Sequence, residues 1–289
     1  MATVKKVVVC GGNGFLGSRI CKYAVARGWH VTSISRSGEP VWSSVTSSPS
    51  PPSWALRVTW ERADILKPTT YKPLLKGADA VIHTMGILLE ADYKGALSGR
   101  ESPLSGLMRA FSSTKSGSQN PMERKPDEDL KPQERDGQLT YELMNRDSAI
   151  TLAQEASREQ VCTFAYISAA GGAPILPARY ITTKREAESA ISTNFQTMRS
   201  IFVRPGFMYD TSRPITMAMA AGAAGATVFS EVTGGVFKDF LGAAGTKPLK
   251  ADLVAEAVVE ALEDVSVKGP IETKEIEELA TKAWRKGML

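Results

Sequence analysis

The sequence predicts an α/β fold of the doubly wound class, a parallel sheet with helices on both faces. Three observations carry that reading. Val7-Val8-Val9-Cys10 is an unbroken apolar run that stops at glycine, as a strand buried on both faces should. A glycine-rich turn and a helical pattern follow it directly. Apolar runs then alternate with helical stretches along the chain, and such alternation implies right-handed parallel crossovers.

Taken in order, Phe15, Leu16, Ile20 and Ala24 recur at helical spacing, and Gly28 is placed to end that helix. Further strands are expected at His30–Ser35, Arg57–Trp60, Ala80–His83, Cys162–Ser168 and Ser200–Val203, with helices at Tyr141–Ala156 and Thr183–Ser192. Ser37–Ser53 holds seven Ser and four Pro and offers few helix or strand options, so it reads as a loop. Ala91–Gln138 is too long for a structureless connection inside a compact domain and reads as an inserted surface excursion. Past Arg204 the pattern changes: Ile215–Phe229 is rich in Ala, Gly and Met, and Ala251–Ala261 is again an amphipathic helix. We therefore expect a dinucleotide-binding domain over residues 1–205 with an insertion at about 91–138. Residues 206–289 would form a small substrate-binding or lid region whose closing helices pack on the same core.

Composition narrows the classes. Hydrophobic residues at 43% and charged ones at 23% are ordinary globular usage, which excludes general disorder and fibrous repeats. No apolar run reaches the ~18–20 residues that span a bilayer. A net charge of +4 is too mild to argue for nucleic acid as a partner. Cys10, Cys21 and Cys162 lie far apart in apolar segments, which suits core packing in a reducing compartment. The opening MATVKKVVVCGG runs straight into the first strand, leaving no room for a cleavable signal or an Arg- and Ser-rich transit peptide.

The turn Gly11-Gly12-Asn13-Gly14-Phe15-Leu16-Gly17 joins the first strand to the first helix. Glycines at 11, 14 and 17 permit a tight turn, let the backbone approach a pyrophosphate, and let helix and strand pack closely. A phosphate there would face free amides and the positive end of the helix. The strand–turn–helix context is what a Rossmann-type dinucleotide site requires. At the end of the second strand, Ser35-Arg36-Ser37 stands where a carboxylate would select NAD(H) by binding the ribose 2′-hydroxyl. A guanidinium flanked by two hydroxyls suits a 2′-phosphate instead, so NADP(H) is expected over NAD(H). Asp64, after the third strand, could reach the adenine or cap a turn.

Tyr180 and Lys184 lie four apart on an expected helix and share one face. A phenol near pKa ~10 works poorly at neutral pH unless a neighbouring ammonium lowers that value. Ser168 closes the preceding strand, where its hydroxyl could hold a substrate carbonyl or alcohol, and Asn145 could hold a water beside the lysine. His30 and His83 read as packed or edge residues, and neither a metal-spaced Cys/His cluster nor a hydrolase nucleophile motif occurs.

Together these residues resemble the short-chain dehydrogenase/reductase superfamily, in its extended or atypical branch. Gly11, Gly14 and Gly17 match its glycine motif, Ser168, Tyr180 and Lys184 its catalytic set, Asn145 its helix asparagine, and Arg204-Pro205-Gly206 its turn after the sixth strand. Thr84, Gly86 and Pro205 complete the expected cofactor-binding set. The phrases GGNGFLG, SRSG, ADILKP, GILLE, YELMN, YISA, KREAE and VRPGFMYD are similar to those of fungal mitochondrial reductase-like proteins of coenzyme Q biosynthesis. They are more distantly similar to the accessory dehydrogenase-like subunits of respiratory complex I. The resemblance implies a place on the matrix face of the mitochondrial inner membrane, within or near the complex that modifies the polyprenylated quinone ring. Import would then use an internal signal or follow removal of a leader.

Three functions are compatible with this reading. The first is an NADPH-dependent oxidoreductase acting on a quinone precursor, with Ile215–Phe229 covering an isoprenoid tail or forming a plain buried helix. The second is a catalytically silent scaffold subunit stabilised by its dinucleotide. The third is an epimerase or dehydratase of nucleotide sugars, which would want a larger C-terminal lobe than the chain has after Gly206.

Overall fold

The computed structural model describes residues 4–46, 48–86, 122, 124, 128–132, 140–171, 178–210 and 247–288. The Ile215–Phe229 stretch, and all but a few residues of the 91–138 insertion, lie outside them.

Seven parallel strands form one sheet: β1 Lys6–Cys10, β2 His30–Ser35, β3 Val58–Arg62, β4 Ala80–His83, β5 Thr163–Ile167, β6 Arg199–Val203 and, late in the chain, β9 Gly269–Ile271. The order across the sheet is β3-β2-β1-β4-β5-β6-β9. The chain thus winds outward from β1 in one direction and from β4 in the other, opening a crevice between them at the carboxyl ends of the strands. A short parallel ladder, β7 Met208–Tyr209 with β8 Leu249–Lys250, stands apart.

Helices α1 Gly17–Ala26, α3 Ser148–Arg158, α4 Ala178–Asn194, α5 Ala251–Glu263 and α6 Thr273–Gly287 cover the sheet, with a single turn α2 at Lys72–Leu75. The strand alternation of period two sorts the core. Val7 and Val9 face one way, into a cluster with Ile20, Ala24, Val254 and Ile276. Val8 and Cys10 face the other way, against Leu152, Phe164, Ile191 and Phe202. No helix among the described residues is long and apolar enough to cross a membrane.

Several expectations need correction. The Ser/Pro-rich loop contains a 3₁₀ turn, Trp42–Ser44, and its last residue opens a second, Ser53–Arg57, where Arg57 was expected to begin the strand. Trp42 is buried and meets Trp54 and Trp60 edge-on at 5.6 and 5.7 Å. Cys162 is exposed, whereas Cys10 and Cys21 are buried and burial pushes their thiols up. The helix expected from Tyr141 begins as a π-helix over Glu142–Asp147 before continuing as α3. Residues 247–288 add to the main sheet a strand that the sequence did not announce, β9, beside the helices α5 and α6.

Candidate active site

The glycine turn has the geometry of a cradle. Gly11 takes φ +84°, and a Cβ there would lie 2.7 Å from Thr84 Oγ1. A Cβ on Gly17 would strike the Gly11 backbone and come within 2.8 Å of Gly12 Cα, so only glycine lets α1 pack this close to β1. Gly14 donates to the Gly11 carbonyl at 2.9 Å and so closes the turn. The amides of Gly12, Asn13 and Leu16 meet no protein acceptor among the described residues. Free amides at a helix N-terminus suit a pyrophosphate. The turn therefore fits a dinucleotide.

Around the cradle, Arg19 donates to the Phe15 carbonyl at 2.6 Å and lies 4.8 Å over the Phe15 ring. It also pairs with Asp210 at 2.7 Å, just beyond β7. Asn13 Nδ2 donates to Ser37 Oγ at 2.6 Å and ties the cradle to the turn after β2. Arg36 is exposed there. Ser35 is buried and donates to the Gly38 carbonyl at 2.8 Å, so it is not the free donor expected of it. Asp64 Oδ1 accepts from the Leu66 amide at 3.1 Å, the turn-capping role.

The expected catalytic residues converge at the carboxyl end of β4 and β5. Thr84 donates from its hydroxyl to the Cys10 carbonyl at 2.8 Å, which joins the β4 exit to the cradle. An ideal Cβ on Gly86 would lie 2.9 Å from Asn145 Oδ1 and 3.5 Å from Lys184 Nζ, so these three meet in one place. Asn145 is carried there by the π-helix, whose widened turn shifts side chains off the regular α-helical face. Lys184 Nζ donates to the Ile167 carbonyl at 3.0 Å and stands 5.6 Å from the centre of the Tyr180 ring. Pro205 accepts from the Ala170 amide at 2.8 Å and fixes the turn after β6 beside Ser168.

Three neighbours were not legible in the sequence. Tyr166, on β5, donates to the Asn145 backbone carbonyl, and Lys184 Nζ lies 3.5 Å from its hydroxyl. Arg185 donates to Ser168 Oγ at 2.9 Å, to the Ala169 carbonyl at 2.7 Å and to Glu188 at 2.7 Å. Glu188 in turn holds Arg204, which reaches on to Glu272 at 2.7 Å. Tyr166 was hidden inside an apolar run and Arg185 inside an ordinary charged helix face. Only the three-dimensional register of β5 against α4 distinguishes them.

Electrostatics revise the expected role of the lysine. Burial lowers Lys184 to about 7 and raises the Tyr180 phenol to about 12. The charge that pulls Tyr180 back down is Arg185, not Lys184. His83 is fully buried behind the site, 2.9 Å from Ser148 Oγ, and burial with the Lys184 charge lowers it to about 3. It is therefore a neutral packed histidine.

Comparison with known proteins gives the family. A profile of the NAD dependent epimerase/dehydratase family matches residues 7–93, the cradle and first four strands. A Saccharomyces cerevisiae protein named MIOREX complex component 2 is 39% identical over 223 residues, covering 73% of this chain and 75% of its own. The chain belongs to the epimerase/dehydratase family, the extended short-chain dehydrogenase/reductases. An uncharacterized chloroplastic protein of Arabidopsis thaliana is 43% identical over 82 residues, 28% of this chain and 25% of that protein.

Among solved structures, UDP-glucuronic acid 4-epimerase from Bacillus cereus, in complex with NAD, superposes with a TM-score of 0.54 at 18% identity. The match covers 92% of this chain and 76% of that one. Vestitone reductase from alfalfa gives a TM-score of 0.52 at 17% identity, with the same 92% and 76% coverage. These likenesses are of fold alone, at 18% and 17% identity.

Proposed function

We propose that the chain is an NADP(H)-dependent oxidoreductase that reduces a carbonyl on a polyprenylated quinone-ring precursor. It would do so on the matrix face of the mitochondrial inner membrane, as part of a multiprotein assembly. The observation that carries the redox part is the convergence of Gly86, Asn145, Lys184, Tyr180 and Ser168 from separate elements beside a cradle of free amides. The quinone substrate and the mitochondrial setting rest on the shared sequence phrases. The assembly is supported by the yeast relative, which is named as a complex component.

When bound, the dihydronicotinamide supplies a hydride to the carbonyl carbon. Tyr180 holds the proton that the carbonyl oxygen takes as the alcohol forms. Ser168 accepts from Arg185, a donor-only group, so its own hydrogen is directed toward that oxygen. Lys184 would hold the nicotinamide ribose. The exposed Arg36 supports NADP(H), because no carboxylate at the end of β2 opposes a 2′-phosphate. Titration of the purified chain with NADPH and NADH side by side tests this reading. Tighter NADPH is expected, and equal or reversed affinity would overturn the cofactor assignment.

A stabilised scaffold is the second reading. It is favoured by the way Lys184 is satisfied within the protein, by the Ile167 carbonyl and Tyr166. If coenzyme Q output survives Tyr180→Phe but fails with Gly14→Leu, the scaffold reading replaces the enzymatic one.

A further inference from the structure

The turn after β2 lost a donor on folding. Of the three groups that the sequence offers a 2′-phosphate, Ser35 spends its hydrogen on the Gly38 carbonyl. Ser37 accepts from Asn13 and keeps its own hydrogen for an outside acceptor. Arg36 is exposed and makes no hydrogen bond or ion pair among the described residues.

A second guanidinium takes up the vacated side. Arg62 ends β3 in register with Ser35. Its stem lies along Gly38, where an ideal Cβ would stand 3.1 Å from Arg62 Cγ and 3.6 Å from Nε. Gly38 has φ +74°, so glycine both makes this turn and leaves room for the arginine over it. Arg62 is exposed and, like Arg36, closes no ion pair among the described residues. Arg27, Arg146, Arg179, Arg185 and Arg204 pair with carboxylates, whereas Arg36 and Arg62, like Arg57 and Arg285 elsewhere on the surface, close no ion pair among the described residues. What sets Arg36 and Arg62 apart is that both border one turn beside the cradle. Glu39, the acidic residue nearest Arg36 in sequence, is engaged by the Trp42 indole at 2.8 Å. Beside Arg62, Glu61 precedes it on β3 and so belongs to the other face of the sheet, and Asp64 accepts from the Leu66 amide. Two unmatched cations flanking one turn are what a dianionic monoester requires.

We infer that Arg62 is the second arm of a two-arginine clamp on the 2′-phosphate of NADP(H), with Arg36 as the other arm and Ser37 donating between them. The inference rests on the NADP(H) reading above and assigns it a residue from a different strand. NADH, with a bare 2′-hydroxyl, would gain nothing from Arg62.

The test is a fluorescence titration of the full chain with NADPH and NADH, and displacement of NADPH by 2′,5′-ADP and by 5′-AMP. Wild type is compared with Arg36→Ala, Arg62→Ala and Arg62→Gln. The last keeps most of the stem over Gly38, so packing is preserved while the charge is removed. Both Arg62 variants should weaken NADPH and 2′,5′-ADP about tenfold, the loss of a charge-assisted contact, and leave NADH and 5′-AMP within about twofold. An unchanged NADPH-to-NADH ratio in both, or equal weakening of both dinucleotides, overturns the clamp. A wild-type chain without NADPH preference overturns the cofactor reading itself. A wild-type preference lost in Arg36→Ala but kept in both Arg62 variants overturns the clamp alone.

Discussion

Arg185 donates to the Ser168 hydroxyl across 2.9 Å, and this bond decides what the serine can offer a substrate. A guanidinium has donors only, so it fills a lone pair of the serine oxygen and leaves the hydroxyl hydrogen to seek an acceptor. A carbonyl meets that demand. Arg185→Met should lower NADPH-dependent reduction of 9,10-phenanthrenequinone about ten- to a hundredfold, with NADPH affinity unchanged. The part of the loss that runs through the serine is shared, so Arg185→Met combined with Ser168→Ala should cost less than the sum of the two single losses. The remainder is the Arg185 charge that lowers the Tyr180 phenol. Additive losses in that cycle would show that Arg185 acts elsewhere.

The glycines at the two ends of α1, Gly17 and Gly28, should not be equivalent. Gly17→Ala drives a methyl into backbone that cannot yield, so urea unfolding should report a loss of about 3 kcal/mol. Gly28→Ala has open space but keeps φ +75°, and the strain alone should cost about 1 kcal/mol. Only the first substitution should abolish dinucleotide binding.

Lys184 gives the free protein a pH signature. Folded, it takes up its proton only near pH 7, whereas unfolded it does so at the ordinary lysine value of 10.5. Between those limits the unfolded chain holds the extra proton, so stability from this group falls as the pH drops toward 7 and flattens below it. Compared with Lys184→Met, the wild type should gain about 1.4 kcal/mol per pH unit through that window. Parallel stability curves for the two proteins, followed by urea melts between about pH 7.5 and 9.5, would contradict the burial argument.

Glu188 is the shared anion of Arg185 and Arg204 and is itself nearly inaccessible. Glu188→Ala removes the buried anion that both guanidiniums share, leaving Arg204 only Glu272 and Arg185 only Ser168 and the Ala169 carbonyl, and should destabilise by about 2 kcal/mol. Glu272 holds the outer arm of Arg204 with over half of its side chain in solvent, and Glu272→Gln should cost under about 1 kcal/mol. Thermal melts that ranked these two in the opposite order would refute the assignment.

Much of the fold was legible because its signals are local. Val7–Cys10 stops at a glycine, His30–Ser35 carries β2 within its expected bounds, and the apolar spacing of Ala251–Ala261 marks α5. β9 was not, since Gly269-Pro270-Ile271 is three residues long and becomes a strand only by pairing with β6. The π-helix at Asn145 escaped for a related reason: a single widened turn leaves hydrophobic spacing almost unaltered. The site divides along the same line. Ser168, Tyr180 and Lys184 announce themselves by spacing, whereas Arg62, Tyr166 and Arg185 gain their surroundings from strands and helices far away in sequence.

The two-residue ladder of Met208–Tyr209 with Leu249–Lys250 has an outcome reaching past its size. It brings together the two points between which residues 211–246 run, while Arg19 secures Asp210, just outside that interval, beside the cradle. Whatever sequence occupies that interval departs from and returns to one fixed doorway. Replacing it wholesale with the equivalent stretch of a related reductase should therefore leave the sheet and its nucleotide grip undisturbed, so that new substrate preferences can be installed as a cassette.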